Sequence, residues 1–277
     1  MSLILFLSNI ENAYIVIVSI FSIGQLISSL EFLFIRKEFS DVGAFPWKIL
    51  RFEHQRYLSS NIRPAISGLF SYGGVLTTLI IRIIALIAIL FTPINSLQFT
   101  ICVVIIVATL IIMHSRQVYG GEGSDQMSLI ISICLLTGGG IFMNHGYMAQ
   151  ISLFFLAAQS CLSYTAAGVA KLVSPKWRSG YATFEIFNTA SHGSLNVASF
   201  LSKNRALSYT LSWSAILFES SFAVCLISPW PVLLSILTLG IIFHFVNAIV
   251  MGLNSFLWIF VATYPAIIYT AASIHQL

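Results

Sequence analysis

Long apolar runs with almost no charge inside them restrict this chain more than any other feature. TLIIRIIALIAIL ends one such run and QFTICVVIIVATLIIM fills another. About 20 such residues are needed for a helix to cross the hydrocarbon core. Eight segments qualify, near Ala13–Ile35, Leu69–Phe91, Leu97–Met113, Met127–Met143, Tyr147–Val173, Leu207–Ile227, Trp230–Val250 and Leu253–Ala272. Composition agrees: 8% of the 277 residues are charged and the mean hydropathy is +0.94. A soluble domain carries roughly a quarter charged residues, so lipid must be the solvent for most of this surface. The expected fold is all-α, a polytopic transmembrane helical bundle of about eight spans with interfacial or re-entrant segments. One membrane domain over residues 1–277 is expected, with no soluble domain, since the chain ends soon after its last span.

The basic residues are placed as topology signals. Of 13 Lys and Arg, all but Arg82 fall in the first, third and fifth connections, counting Lys171 at its helix end. The positive-inside rule then puts those connections in the cytoplasm and both termini outside. No contiguous basic domain exists to carry nucleic acid. The first long connection holds FPWKILRFEHQRYL, whose mixed aromatic and basic composition suits a helix lying in the interface. Ser174–Arg205 is too polar to span and too apolar for a free linker, and is expected to be a re-entrant or interfacial cover. The four cysteines sit in apolar runs without a CxxC spacing, which points to inert thiols. The N-terminus lacks the basic region of a cleavable signal peptide, so the first helix is expected to stay.

The candidate functional residues are the polar groups the runs cannot avoid. Arg82 and Glu219 lie inside spans, where an ionised group costs at least ~2.5–3.5 kcal/mol. Each must face protein and find a partner, and they are candidates to pair with one another. His244, Asn247, Met251 and Asn254 share one helical stripe if that helix continues far enough. His145 follows Asn144 and precedes Tyr147 at the mouth of the fifth span; a lone His there is more often a capping or interface residue. Tyr164, Gly168 and Lys171 share a face, on which Gly168 would admit another backbone or a flat ligand beside the amine. Snorkelling is the ordinary fate of such a lysine, and a partly desolvated one can instead act as a base. GGEGSDQ (residues 120–126) reads as a loop with Ser124 or Asp125 as an N-cap. His54, His114, His192 and His275 carry no comparable signal, and no zinc, P-loop or GxSxG spacing is present.

Several of these elements occur together in a known order. Asn144–Tyr147 reads NHGY, AGVAKLVSPKWRSGYA covers Ala167–Ala182, and FHFVNAIVMGLNSFLWI covers Phe243–Ile259, with Glu219 between. From about Gly120 to Ile259 the chain resembles the HTTM-domain family, the membrane domain shared with vitamin K-dependent gamma-carboxylase. Its compact form is similar to the short bacterial type, such as the membrane protein needed to mature the sporulation-delaying toxin. The resemblance implies that Lys171 is the base that deprotonates a reduced quinone, with His145, His244 and Glu219 around it. Asn144, Tyr147, Tyr164, Gly168, Trp177, Gly180, Asn247 and Arg82 would be structural or pocket residues. Two departures are plain: Ala170-Lys171 stands where the carboxylase has two lysines, and its lysine-to-tryptophan spacing is one residue shorter. The carboxylase site faces outward, whereas the charge pattern puts Lys171 near the cytoplasmic face.

Three functions remain open at this stage. The first is an HTTM-type enzyme using a lysine base on a quinone-like lipid or an exported peptide, with a reduced quinone as cofactor. The second is a non-enzymatic membrane subunit of a peptide-maturation or assembly complex, and the third a small transporter. The expected partners are membrane lipid and a secreted peptide or partner protein, not nucleic acid. The expected location is a bacterial inner or plasma membrane, crossed several times.

Overall fold

The structure, a computed structural model, describes residues 2–55, 63–116, 122–190 and 193–275. Arg56, His192 and the loop residues Gly120 and Gly121 lie outside them. The helices in chain order are α1 (Ser2–Leu7), α2 (Ile10–Phe34), α3 (Trp47–Gln55), α4 (Arg63–Phe70), α5 (Tyr72–Leu90), α6 (Leu97–Arg116) and α7 (Gly123–Gly138). They continue with α8 (Gly146–Val173), α9 (Pro175–Arg178), α10 (Tyr181–Phe187), α11 (Leu195–Lys203), α12 (Arg205–Ser221), α13 (Trp230–Met251) and α14 (Asn254–His275). A 3₁₀ segment, Phe222–Ile227, prolongs α12. Among the described residues there is no strand, and seven helices are long and apolar enough to cross a membrane. The protein is an all-α, multi-pass integral membrane protein.

The fourth expected span is the short one. α7 has 16 residues, about 24 Å at 1.5 Å per residue, less than the ~30 Å of a hydrocarbon core. Its first residue is preceded by Glu122 as N-cap, rather than by Ser124 or Asp125. Asp125 acts from the third helical position, where its Oδ2 accepts the Glu122 N–H at 3.0 Å. A carboxylate there satisfies an amide that has no helical partner.

The chain divides into two units, Tyr14–Ser152 on one hand and Met1–Ala13 with Leu153–Leu277 on the other. In the Tyr14–Ser152 unit, α5 packs on α6 and α6 on α7. Gln25 of α2 donates to Ser128 of α7 at 2.9 Å. Buried Arg116 fastens the first long connection: its guanidinium donates to the carbonyls of Phe70 (3.0 Å), Phe45 (2.8 Å) and Phe39 (3.4 Å) and lies 5.0 Å from the Phe39 ring centroid. In that connection a short helix is present as α3, with Ile49 and Phe52 exposed beside Lys48 and Arg51. Apolar and basic side chains together on an outer surface suit the headgroup boundary.

The other unit holds α9–α14 and most of α8. α14 is its core, with 72% of its most apolar window buried, against 22% in α13 and 28% in the α12 span. α13 packs on α14 and the 3₁₀ segment, and α12 on α9, α10 and α11. The segment after α8 runs along α12: Trp213 Nε1 donates to the Arg178 carbonyl at 3.1 Å and Ser208 Oγ to the Gly180 carbonyl at 2.6 Å. The expected cover over Ser174–Arg205 is thus three short helices, α9–α11, two of which carry residues that line the cavity described next.

Candidate functional site

Lys171 occupies the last turn of α8, seven residues after Tyr164 and three after Gly168, so all three share a helix face. Gly168 explains what meets them. A Cβ at that position would run into the Ser220 amide nitrogen, 2.6 Å from Ser220 Oγ and 2.8 Å from the Glu219 carbonyl carbon. The missing side chain therefore lets the backbone of α12 approach α8, and the neighbour it admits is backbone. That approach brings Glu219 to Lys171: Nζ donates to Oε2 at 2.5 Å. The carboxylate side chain is 7% exposed and the lysine side chain 19%. The ammonium also lies 5.2 Å from the centroid of the Trp177 ring, within cation–π range.

Gly180 holds this arrangement from the far side. Its φ of 77° lies in the left-handed region, which glycine adopts without a steric cost. A Cβ there would come within 2.7 Å of the Tyr209 backbone. The turn that brings Trp177 over Lys171 is thereby fixed against α12.

Lys171, Glu219 and Trp177 line a cavity of about 720 Å³. Its walls come from α8, α9, α10, α12, α13 and α14, and its polar groups include Lys171, Glu219, Tyr164, His244 and Asn247. Volumes of ~300–1,000 Å³, mostly apolar with a few convergent polar groups, are typical of small-molecule sites. Two of the lining residues belong to a hydrogen-bonded chain: the Tyr164 hydroxyl is 2.6 Å from His244 Nε2 and 2.9 Å from the Tyr264 hydroxyl behind them. His244 is 4% exposed, and its Nδ1 is buried without a hydrogen-bond partner. An unpaired buried ring nitrogen is costly in either tautomer. Phe222 stacks on Tyr164 with centroids 3.8 Å apart, and Phe260 on His244 at 5.0 Å.

Two expectations fail for identifiable reasons. Arg82 does not pair with Glu219, whose carboxylate is taken by Lys171. Arg82 is 2% exposed and donates to the Thr109 carbonyl at 2.9 Å and to Thr109 Oγ1 at 3.4 Å. Nor does the His244 stripe reach Asn254. α13 stops at Met251 because Gly252 turns left-handed at φ 72° and gives its N–H to the Ala248 carbonyl. His244, Asn247 and Met251 line the cavity, while Asn254 begins α14 and accepts from Trp258 Nε1 at 3.1 Å.

The structure brings together Lys171, Glu219, His244, Asn247, Tyr164 and Trp177, with Gly168 and Gly180 as the close approaches that position them. It places Asn144, His145 and Tyr147 elsewhere, exposed at the start of α8. His145 and Lys171 flank opposite ends of a 28-residue helix, about 42 Å long. Tyr264 and Phe222 join the site without having been singled out; each lies 58 or more residues from Tyr164, and no short spacing could flag them. No protein-family model matches the chain, and no curated protein or solved structure matches it either. The four cysteines are all free thiols, and no group of three metal-ligating side chains occurs among the described residues.

Proposed function

We propose that this is an HTTM-type membrane enzyme that takes a proton from a quinone-like lipid held in the α8–α14 cavity. The observation that carries the reading is the Lys171–Glu219 ion pair on the wall of a mostly apolar chamber under Trp177. A flat ring with hydroxyl groups suits such a chamber, since aromatic walls stack on it and the polar pair meets its edge.

The pair also constrains the chemistry. An ammonium that donates to a carboxylate has no lone pair, so Lys171 as it stands is not a base. Moving the shared proton from Nζ to Oε2 leaves a neutral amine. That amine accepts the proton of the ligand's O–H and becomes an ammonium again. The result is an anionic ring oxygen beside Lys171 and a protonated Glu219, with the total charge unchanged. Charge conservation matters where the dielectric is low, because no net charge has to be carried into the site. Glu219 is then the final proton acceptor, and Lys171 both relays the proton and stabilises the product anion.

Lys171→Arg tests this, because arginine keeps the charge and the pairing but does not give up its proton. The probe is a reduced naphthoquinone with one prenyl unit, added to the full chain in detergent. Quenching of Trp177 fluorescence reports binding, with Trp177→Phe as its control. Absorbance reports the ring anion. The expected result is binding by both proteins and the anion band in wild type alone. The same band in Lys171→Arg would refute the relay.

A non-enzymatic subunit is the second reading, favoured by the close α8–α12 contact at Gly168 that the pair braces. On that reading neither protein binds the probe. Bacterial inner or plasma membrane location and a secreted-peptide partner belong to the same family proposal.

A further inference from the structure

We infer that the cavity is filled sideways from the bilayer, between α12 and α13, and that it selects lipids with an uncharged head. The inference rests on the proposed head site at Lys171–Glu219 and adds the route and the charge class of what reaches it.

The route follows from which faces line the cavity. On α12, Leu211, Ala215 and Phe218 turn to it, and on α13, Leu239, Ile242 and Val246. Both sets follow the three-and-four spacing of one helix face. Helices consecutive in the chain ordinarily bury such faces against each other, yet α12 and α13 each pack on the 3₁₀ segment between them and these faces border a space. Leu211, Leu239, Ile242 and Val246 line the cavity and are still 43–54% exposed, so the rim they form opens outward. Leu239 and Ile242 lie near the middle of the 22-residue α13, at hydrocarbon depth in a spanning helix. From Leu239 to Met251 the lining runs about 18 Å along α13, twelve residues at 1.5 Å each. That length suits an extended chain beside the helix with its head among the polar groups.

The charge class follows from the polar groups. Lys171 and Glu219 cancel, and among the described residues no other Lys, Arg, Asp or Glu lines the cavity. A phosphate or carboxylate head would meet a carboxylate already holding the available ammonium, with its own hydration lost. A hydroxyl or carbonyl head costs far less to desolvate and finds polar partners on the cavity wall at Lys171, Glu219 and Asn247. The occupant is therefore a neutral, single-chain or prenyl lipid with a hydrogen-bonding head.

Photolabelling in phosphatidylcholine vesicles containing the full chain tests both parts. The probes are a prenyl alcohol with a mid-chain diazirine and the phosphate monoester of the same alcohol. The alcohol should label α12 and α13 at the cavity rim about tenfold over the phosphate ester, and over lipid-facing Ile84 of α5. Glu219→Gln leaves the amine uncompensated and should raise labelling by the phosphate ester to that of the alcohol. Equal labelling by both probes in wild type would overturn the charge selection. Rim labelling no stronger than that at Ile84 would overturn the lateral route. If Trp177 quenching by the short naphthoquinone persists in that case, the head site stands and only the route falls.

Discussion

Arg82 and Lys171 are both basic residues on apolar helices, and the molecule treats them in opposite ways. Arg82, in the Tyr14–Ser152 unit, is sealed against α6 and donates to the main chain and hydroxyl of one residue, Thr109. Lys171 is 19% exposed, paired with a carboxylate and lined up with a cavity. A guanidinium spreads its charge over five donors and tolerates carbonyl acceptors, so it can close a helix contact without a carboxylate. A primary ammonium carries a concentrated charge and exchanges its proton readily, which suits a working site. On the proposed reading, what sets Lys171 apart from Arg82 is the accessible space beside it, since both are largely buried.

That contrast can be broken by substitution, with folding read from reversible unfolding in mixed micelles. Glu219→Leu strands a largely buried ammonium and should cost about 3 kcal/mol. The double change Lys171→Met with Glu219→Leu should recover most of that loss, since two apolar side chains need no partner. Gly168→Ala places a methyl against the Ser220 backbone and should cost about 1–3 kcal/mol by overpacking. Arg82→Met should change stability by no more than about 1 kcal/mol. Thr109 Oγ1 keeps its own bond to the Ile106 carbonyl at 2.9 Å, and the Thr109 carbonyl, one turn before Met113 inside α6, remains a helical acceptor, so neither is left unsatisfied. A cost near that of Glu219→Leu would erase the distinction drawn between the two cations. Lys176→Ala removes an exposed pair with Glu185 and should be worth about 0–1 kcal/mol. It serves as the baseline for the rest.

The helical class and most span positions were legible because hydropathy is summed over some 20 residues and tolerates local error. α7 was harder, since a 16-residue helix can carry the hydropathy of a span without its length. The end of α13 turned on one residue, Gly252, whose left-handed turn leaves no trace in apolar periodicity. In the site, the Tyr164–Gly168–Lys171 face was readable from helical spacing. Its partner was not: Glu219 lies 48 residues from Lys171, and only tertiary packing could choose it over Arg82. The same limit hid Tyr264, 100 residues from the Tyr164 hydroxyl it touches. Asn144, His145 and Tyr147 were grouped with Lys171 by resemblance alone, and the length of α8 separates them from it.

A native mass spectrum of the chain, released from mild detergent after purification from its own membrane, tests the central claim most directly. Wild type should carry one neutral lipid of prenyl-quinone or similar mass. The Lys171→Met, Glu219→Leu protein should keep most of the wild-type stability and carry none. The same adduct on both proteins, or on neither, would mean that the Lys171–Glu219 pair braces two helices and receives no ligand.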